Sequence, residues 1–171
     1  DPAKAKSLLA EAGYPNGFEL DMPNGSAIPA STWTLIAQQL QDVGITVKYT
    51  DSGNNFIADV LAPKYPVTWL QLQQDPDWQL INFAITPTAT FNPFKTTNPE
   101  VAALIDAVHV ATSAEESGAA VKKLNAYIVE NAWFAPWYRI ESNYATDANT
   151  SVQTQVGNAY PYLWNFTPKS S

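Results

Sequence analysis

Asp75 and Asp77 flank a proline in the stretch WLQLQQDPDW, residues 69–78, and are the nearest approach in the chain to a pair of working carboxylates. Two carboxyl groups can serve as acid and base on a glycosidic bond, so a carboxylate-dependent glycoside hydrolase is the remote enzymatic reading. An Asp-Pro-Asp turn favours a local role instead, in which Asp75 or Asp77 accepts backbone N–H bonds and caps a helix starting near Trp78. A ligand-contacting role for both stays open beside it. The single histidine, His109, follows Ile105 by one helical turn and reads as an ordinary helix-surface or boundary residue. Cysteine is absent, no serine sits in a nucleophile-elbow pattern, and the seven glycines form neither a dinucleotide fingerprint nor a phosphate loop. No catalytic residue, metal site or cofactor is expected.

The aromatic residues carry more information. Six Trp, eight Tyr and seven Phe are present, and Trp69, Trp78, Trp133, Trp137 and Trp164 cannot all sit centrally in one small core with their indole N–H groups satisfied. A solvent-facing shelf of Trp69 and Trp78 beside the amides Gln71 and Gln73 suits a ligand with flat or apolar faces and many hydrogen-bonding groups, a peptide or a sugar. The alternative is that these rings fill the core and an interface with a domain outside the chain.

Several elements must position these residues. DPAKAKSLLAEAG reads as a helix capped by Asp1, with Pro2 in the first turn, Leu8, Leu9 and Ala12 as its apolar side and Gly13 at its end. FELDM alternates as a half-buried strand, with Phe18, Leu20 and Met22 on one face. Trp33, Ile36, Ala37, Leu40 and Val43 then recur at helical spacing, with Ser31 or Thr32 as cap and Gly44 as stop, before ITVKYT returns to period two. Strand, helix and strand with short joins predict a crossover between parallel strands. A short helix is expected around Phe56, Ile57, Val60 and Leu61, a strand over residues 67–73, and an irregular loop over 86–99. Two helices follow, one starting at Pro99 with Val101, Leu104, Ile105 and Val108 inward. The other opens on a capping box of Ser113 and Glu116, with Val121, Leu124 and Ile128 inward. The aromatic, β-branched remainder predicts two or three strands and an extended tail. The fold class is α/β, a mixed β-sheet flanked by helices.

With 171 residues a single core is available, and a net charge of −7 without any basic cluster excludes nucleic acid as a partner. No apolar run reaches the roughly 20 residues needed to cross a bilayer. The chain begins directly on a helix, which reads as a piece cut from a longer protein with any export signal lost upstream.

The opening DPAKAKSLLAEAGYPNGFEL resembles the element D-P-x-K-A-K-x-L-L-x-E-A-G-Y-P-x-G-F-x-L of the extracytoplasmic solute-binding proteins of ABC importers, in the peptide, nickel and oligosaccharide group called family 5. IAQQLQDVGITVKYT, the W…DPD loop, NPEVAALIDAV and LNAYIVENAWFAPWY follow in that family's order, so the likeness runs from residue 1 to about 140. The resemblance implies a type II periplasmic binding protein lobe over residues 1–140, with 141–171 as strands and a tail returning toward a first lobe outside the chain. It implies a substrate-binding component that is not an enzyme, lies in the periplasm or is lipid-anchored on the outer face of the cell membrane, closes two lobes on a solute and delivers it to a membrane permease. Oligopeptides or similar solutes are the implied ligands, with oligosaccharides as the alternative; one histidine and no cysteine disfavour nickel. In peptide-binding members an Asp three residues after the Trp commonly pairs with the α-amino group, and that position here is Leu72, which puts amine-anchored binding in doubt unless Asp75 substitutes. The expected ligand-binding residues are Trp69, Gln71, Leu72, Gln73, Asp75, Asp77 and Trp78, joined by Phe91 and Asn92 from the loop TATFNPF. That loop is equally readable as one held by its own prolines and asparagines.

Overall fold

The computed structural model describes residues 1–25, 28–72, 75–139, 141, 143–155 and 160–169. They fall into two compact units, Asp1–Leu70 and Gln71–Ser171.

The first unit opens with α1 (Pro2–Glu11), where the Asp1 carboxylate accepts the Lys4 N–H at 3.0 Å, as the Asp-Pro start predicts. None of α1 is buried, and Leu8 of its expected apolar side is exposed. β1 (Phe18–Asn24) and β2 (Ile45–Asp51) pair in parallel, with Leu20 opposite Val47 and Met22 opposite Tyr49. α2 (Ala30–Gln41) makes the crossover between them and buries Trp33 and Ile36. Its N-cap is Pro29 with no side-chain bond, so the expected capping by Ser31 or Thr32 is corrected: both lie inside the first turn, and Thr32 is buried there. The turns that lead into the two strands touch each other. Gly17 (φ +74°) and Gly44 (φ +97°) both take left-handed backbone, and a Cβ on Gly17 would lie 1.7 Å from the Gly44 carbonyl oxygen.

An aromatic cluster centred on Trp33 fills this unit. Tyr49 lies edge-on to it at 5.4 Å between centroids and donates its hydroxyl to the Trp33 carbonyl at 2.8 Å. Burial pushes the Tyr49 phenol above its usual pKa. Phe56, from the short helix α3 (Phe56–Leu61), approaches the same indole at 6.0 Å.

The second unit is built on a helical hairpin, α5 (Pro99–His109) and α6 (Ala114–Glu130). Val101, Ile105 and Val108 from α5 meet Ala120, Leu124 and Ile128 from α6, and Val101 is fully buried. Ile81 completes that core from a π-helical turn, Ile81–Ile85, which continues α4 (Asp77–Leu80). Asn98 caps α5 by accepting the Val101 N–H, and its amide also donates to the Tyr127 hydroxyl of α6, tying the start of one helix to the other. At the end of α6, Ala132 (φ +50°) donates to the Val129 carbonyl and Trp133 to that of Ile128, a Schellman closure with alanine where glycine is usual.

Two expectations are revised here. Residues 67–72 form no strand; the chain there is irregular. The strands also do not join one mixed sheet among the described residues. β1–β2 is a parallel pair, while β3 (Thr150–Val152) and β4 (Phe166–Pro168) form a separate antiparallel pair, the two short strands of the C-terminal region.

Candidate ligand-binding site

Trp69 belongs to the first unit and closes its aromatic cluster. Its half-buried ring stands edge-on to Trp33, with centroids 6.2 Å apart. The remaining expected site residues belong to the second unit, except Gln73, which lies outside the described residues. Gln71 is exposed and Asp75 half-buried. Trp78 projects from α4 with 41% of its surface exposed and stacks nearly flat on His109, 19° between planes and 5.1 Å between centroids. The histidine is therefore a surface residue at the last position of α5, with its ring committed to an indole.

The Asp-Pro-Asp turn is built differently from its expected capping role. Pro76 holds the N-cap position of α4 with extended backbone (φ −54°, ψ 145°), and no side chain caps the helix. Asp77 is the first helical residue, where its charge faces the positive end of the peptide dipoles without closing a cap bond. The side chain is left exposed.

Leu72 and Asp77 are brought together in one place. Both line a cavity of about 210 Å³ whose walls are otherwise formed by α4, the π-helical turn, α6 and Phe134. Leu72, Leu80, Ile85, Val121, Ile128 and Phe134 make it predominantly aliphatic, and Asp77 and Asn125 are its polar members. Asp77 is the one ionisable group in that lining, so any charge the cavity sees at its own wall is negative.

Phe91 and Asn92 behave differently from one another. Phe91 is half-buried with its ring tilted against Phe83, centroids 4.4 Å apart, so the pair forms a partly exposed aromatic ridge. Asn92 is buried, and its amide is used up by the loop: Nδ2 donates to the carbonyls of Ile85, Thr86 and Thr96, and Oδ1 accepts the Thr96 N–H at 2.9 Å. This geometry matches the reading of TATFNPF as a self-held loop.

The far wall of the cavity escaped sequence reasoning. Val121, Leu124 and Ile128 were legible as an inward stripe, but that a stretch of this stripe faces open volume depends on the separation of α4 and α6, which no local pattern encodes. Asn24, at the end of β1, was also unanticipated; its Oδ1 is buried with no hydrogen-bond partner among the described residues. No group of three or more His, Asp or Glu side chains among the described residues is placed to hold a metal ion.

Residues 1–99 match the family model of the bacterial extracellular solute-binding proteins, family 5 Middle. The chain belongs to that family. Family 5 resemblances also extend beyond the matched region. The glutathione-binding protein GsiB of Pectobacterium atrosepticum is 28% identical over 170 residues, covering 90% of this chain and 32% of GsiB. A dipeptide-binding protein from Pseudoalteromonas sp. SM9913, solved with Met-Leu, superposes with a TM-score of 0.71 at 20% identity over 99% of this chain and 36% of its own. The periplasmic binding protein DppA from Helicobacter pylori, solved with the peptide STSA, gives 0.66 at 23% identity over 77% of this chain and 27% of its own. The fold is thus the α/β lobe of a type II periplasmic binding protein, as expected, and the chain spans about a third of the length of these relatives.

Proposed function

We propose that this chain is one lobe of the substrate-binding component of an ABC importer, a receptor that captures oligopeptides or similar solutes outside the membrane and passes them to a permease. It acts by binding and does no chemistry. Residues 1–140 form the lobe, and 141–171 form strands and a tail that return toward a first lobe of the same protein. The protein works in the periplasm or lipid-anchored on the outer face of the cell membrane. The observation that carries this reading is membership of family 5 through residues 1–99, joined to relatives whose names give peptide ligands. Trp69, Trp78, Gln71, Gln73, Leu72, Asp75, Asp77 and Phe91 are its proposed ligand-side residues. Asn92 supports the loop beneath Phe91.

A saccharide ligand is the second reading, favoured by the exposed Trp78 ring held flat on His109, a platform of the kind a sugar face covers. Calorimetry on the full-length gene product separates the two. Binding of peptide pools without response to cello- or xylo-oligosaccharides is expected, and the reverse pattern replaces the peptide reading with the saccharide one.

A further inference from the structure

The tripeptide Pro-Asn-Gly occurs twice in the first unit, at residues 15–17 and 23–25, and the fold puts the two copies in opposite situations. Asparagine followed by glycine can react with its own backbone. The glycine nitrogen, after giving up its proton to solvent, adds to the asparagine Cγ; the Cγ–Nδ2 bond breaks and ammonia leaves with a proton from water. No Cβ on the glycine shields the attacking nitrogen. Water then opens the five-membered ring. Cleavage at Cγ gives an ordinary aspartate, whereas cleavage at the main-chain carbonyl leaves an isoaspartate, joined through its side chain and carrying an extra carbon in the backbone.

Asn16 lies in a turn closed by the Gly17 N–H donating to the Tyr14 carbonyl at 2.9 Å and backed by the Tyr14 ring, tilted against Phe18 at 5.1 Å between centroids. Residues 10–16 are all exposed, and α1 before them buries nothing. A segment with so little buried opens locally far more often than the unit unfolds, and each opening frees the Gly17 nitrogen. Asn24 is held from every side. Its carbonyl accepts the Ser52 N–H at 3.0 Å, it is paired with Asp51 in the ladder, and its Oδ1 is buried. Pro23 before it is fully buried, and Gly25 after it packs so closely that a Cβ there would lie 2.8 Å from the Phe56 side chain. The Gly25 carbonyl also takes the Trp33 indole N–H. Bringing the Gly25 nitrogen onto the Asn24 Cγ would break the ladder and displace the aromatic cluster. We propose that Asn16 is a site of spontaneous isoaspartate formation, and that the fold preserves Asn24 in the identical tripeptide. The extra backbone carbon enters immediately before Gly17, where the two turns touch and no slack is available.

The test is a time course of the full-length gene product in mildly alkaline buffer, with peptide mapping by mass spectrometry at both asparagines. In the folded protein Asn16 is expected to convert at least about tenfold faster than Asn24, and in urea the two are expected to convert at similar rates. Tyr14→Ala, which removes an exposed ring from across the turn, is expected to speed conversion at Asn16 and leave Asn24 unchanged, with thermal unfolding showing that the variant is folded. Equal rates in the folded protein, or the same difference persisting in urea, overturn the assignment, the second because local sequence rather than the fold would then set the order. Asn16→Asp supplies the charge of the converted protein at normal backbone length. It is expected to melt with the parent, whereas the isoaspartyl fraction, separated by chromatography, is expected to melt lower. Identical melting of that fraction and Asn16→Asp would show that the contact between the two turns tolerates the added carbon, against the proposal.

Discussion

Trp33 shows how one residue can decide the arrangement of many. Its indole N–H reaches the Gly25 carbonyl at 3.4 Å, its own carbonyl accepts the Tyr49 hydroxyl, and the rings of Tyr49, Phe56 and Trp69 stand edge-on to it. Trp69 is one of these rings and is half-buried, so it is both a packing partner and an expected ligand anchor. Edge-to-face aromatic pairs contribute about 0.5–1.5 kcal/mol beyond area burial, and Trp69→Ala is expected to lower the unfolding free energy by at least that amount. If the ring also touches ligand, affinity in the full-length protein falls by a further 1–3 kcal/mol or so, the range of an aromatic hot spot. Denaturant melts and calorimetry on the same variant separate the two, and a loss of stability with affinity intact removes Trp69 from the site. The sequence could show that not every tryptophan fits a core. It could not show that Trp69 would lean on Trp33 while Trp78 would lie open on His109, because those choices are made by contacts between residues far apart in the chain. Asn92 makes the same point in reverse, since an asparagine in a Pro-rich loop reads equally as ligand contact or loop fastener until its partners are seen.

Among the elements, α6 is closed at both ends by motifs whose energetics can be tested. At its start the Ser113 hydroxyl oxygen accepts the Glu116 N–H, and the Glu116 carboxylate reaches back to the N–H and hydroxyl of Thr112. The backbone and side-chain bonds from Thr112 hold the Glu116 carboxyl below its usual pKa. A depressed folded-state value means that the contribution is present above the ordinary glutamate range and is lost as pH falls through the lowered one. The stability gap between the parent and Glu116→Gln is therefore expected to be widest near neutrality and to close in acid; a gap independent of pH refutes the assignment. At the other end, Ala132 holds left-handed backbone at a cost that glycine does not bear. Ala132→Gly is expected to raise stability by about 0.5–1 kcal/mol and Tm by about 2–4 °C, read by thermal unfolding, and a lower Tm counts against the strain. Helices were the most legible elements, since Asp1, the Ser113 box and the 3.6-residue stripes of α2, α5 and α6 are local signals. The strand expected over residues 67–73 does not form across the described part, 67–72, because a strand-like run of side chains says nothing about whether a partner strand is there to receive its hydrogen bonds.

At the scale of the whole molecule, the proposed division of a binding site between two lobes predicts that the 171-residue chain alone binds peptide weakly. An affinity at least about a hundredfold below that of the full-length protein is expected by calorimetry, since contacts from the other lobe and the closure that excludes water are both missing. Equal affinity would mean that this chain encloses its ligand by itself.

The contact between Gly17 and Gly44 has a consequence for how the parallel pair can vary. The two turns meet one residue before Phe18 and Ile45, the first partners in the register, so their touch acts as an index mark from which every later pairing is counted. Adding or deleting a single residue in either turn would move that mark, and because neighbouring side chains in a strand point to opposite sides, Leu20 and Met22 would trade places with Glu19 and Asp21. Length, more than composition, is what these two turns cannot change.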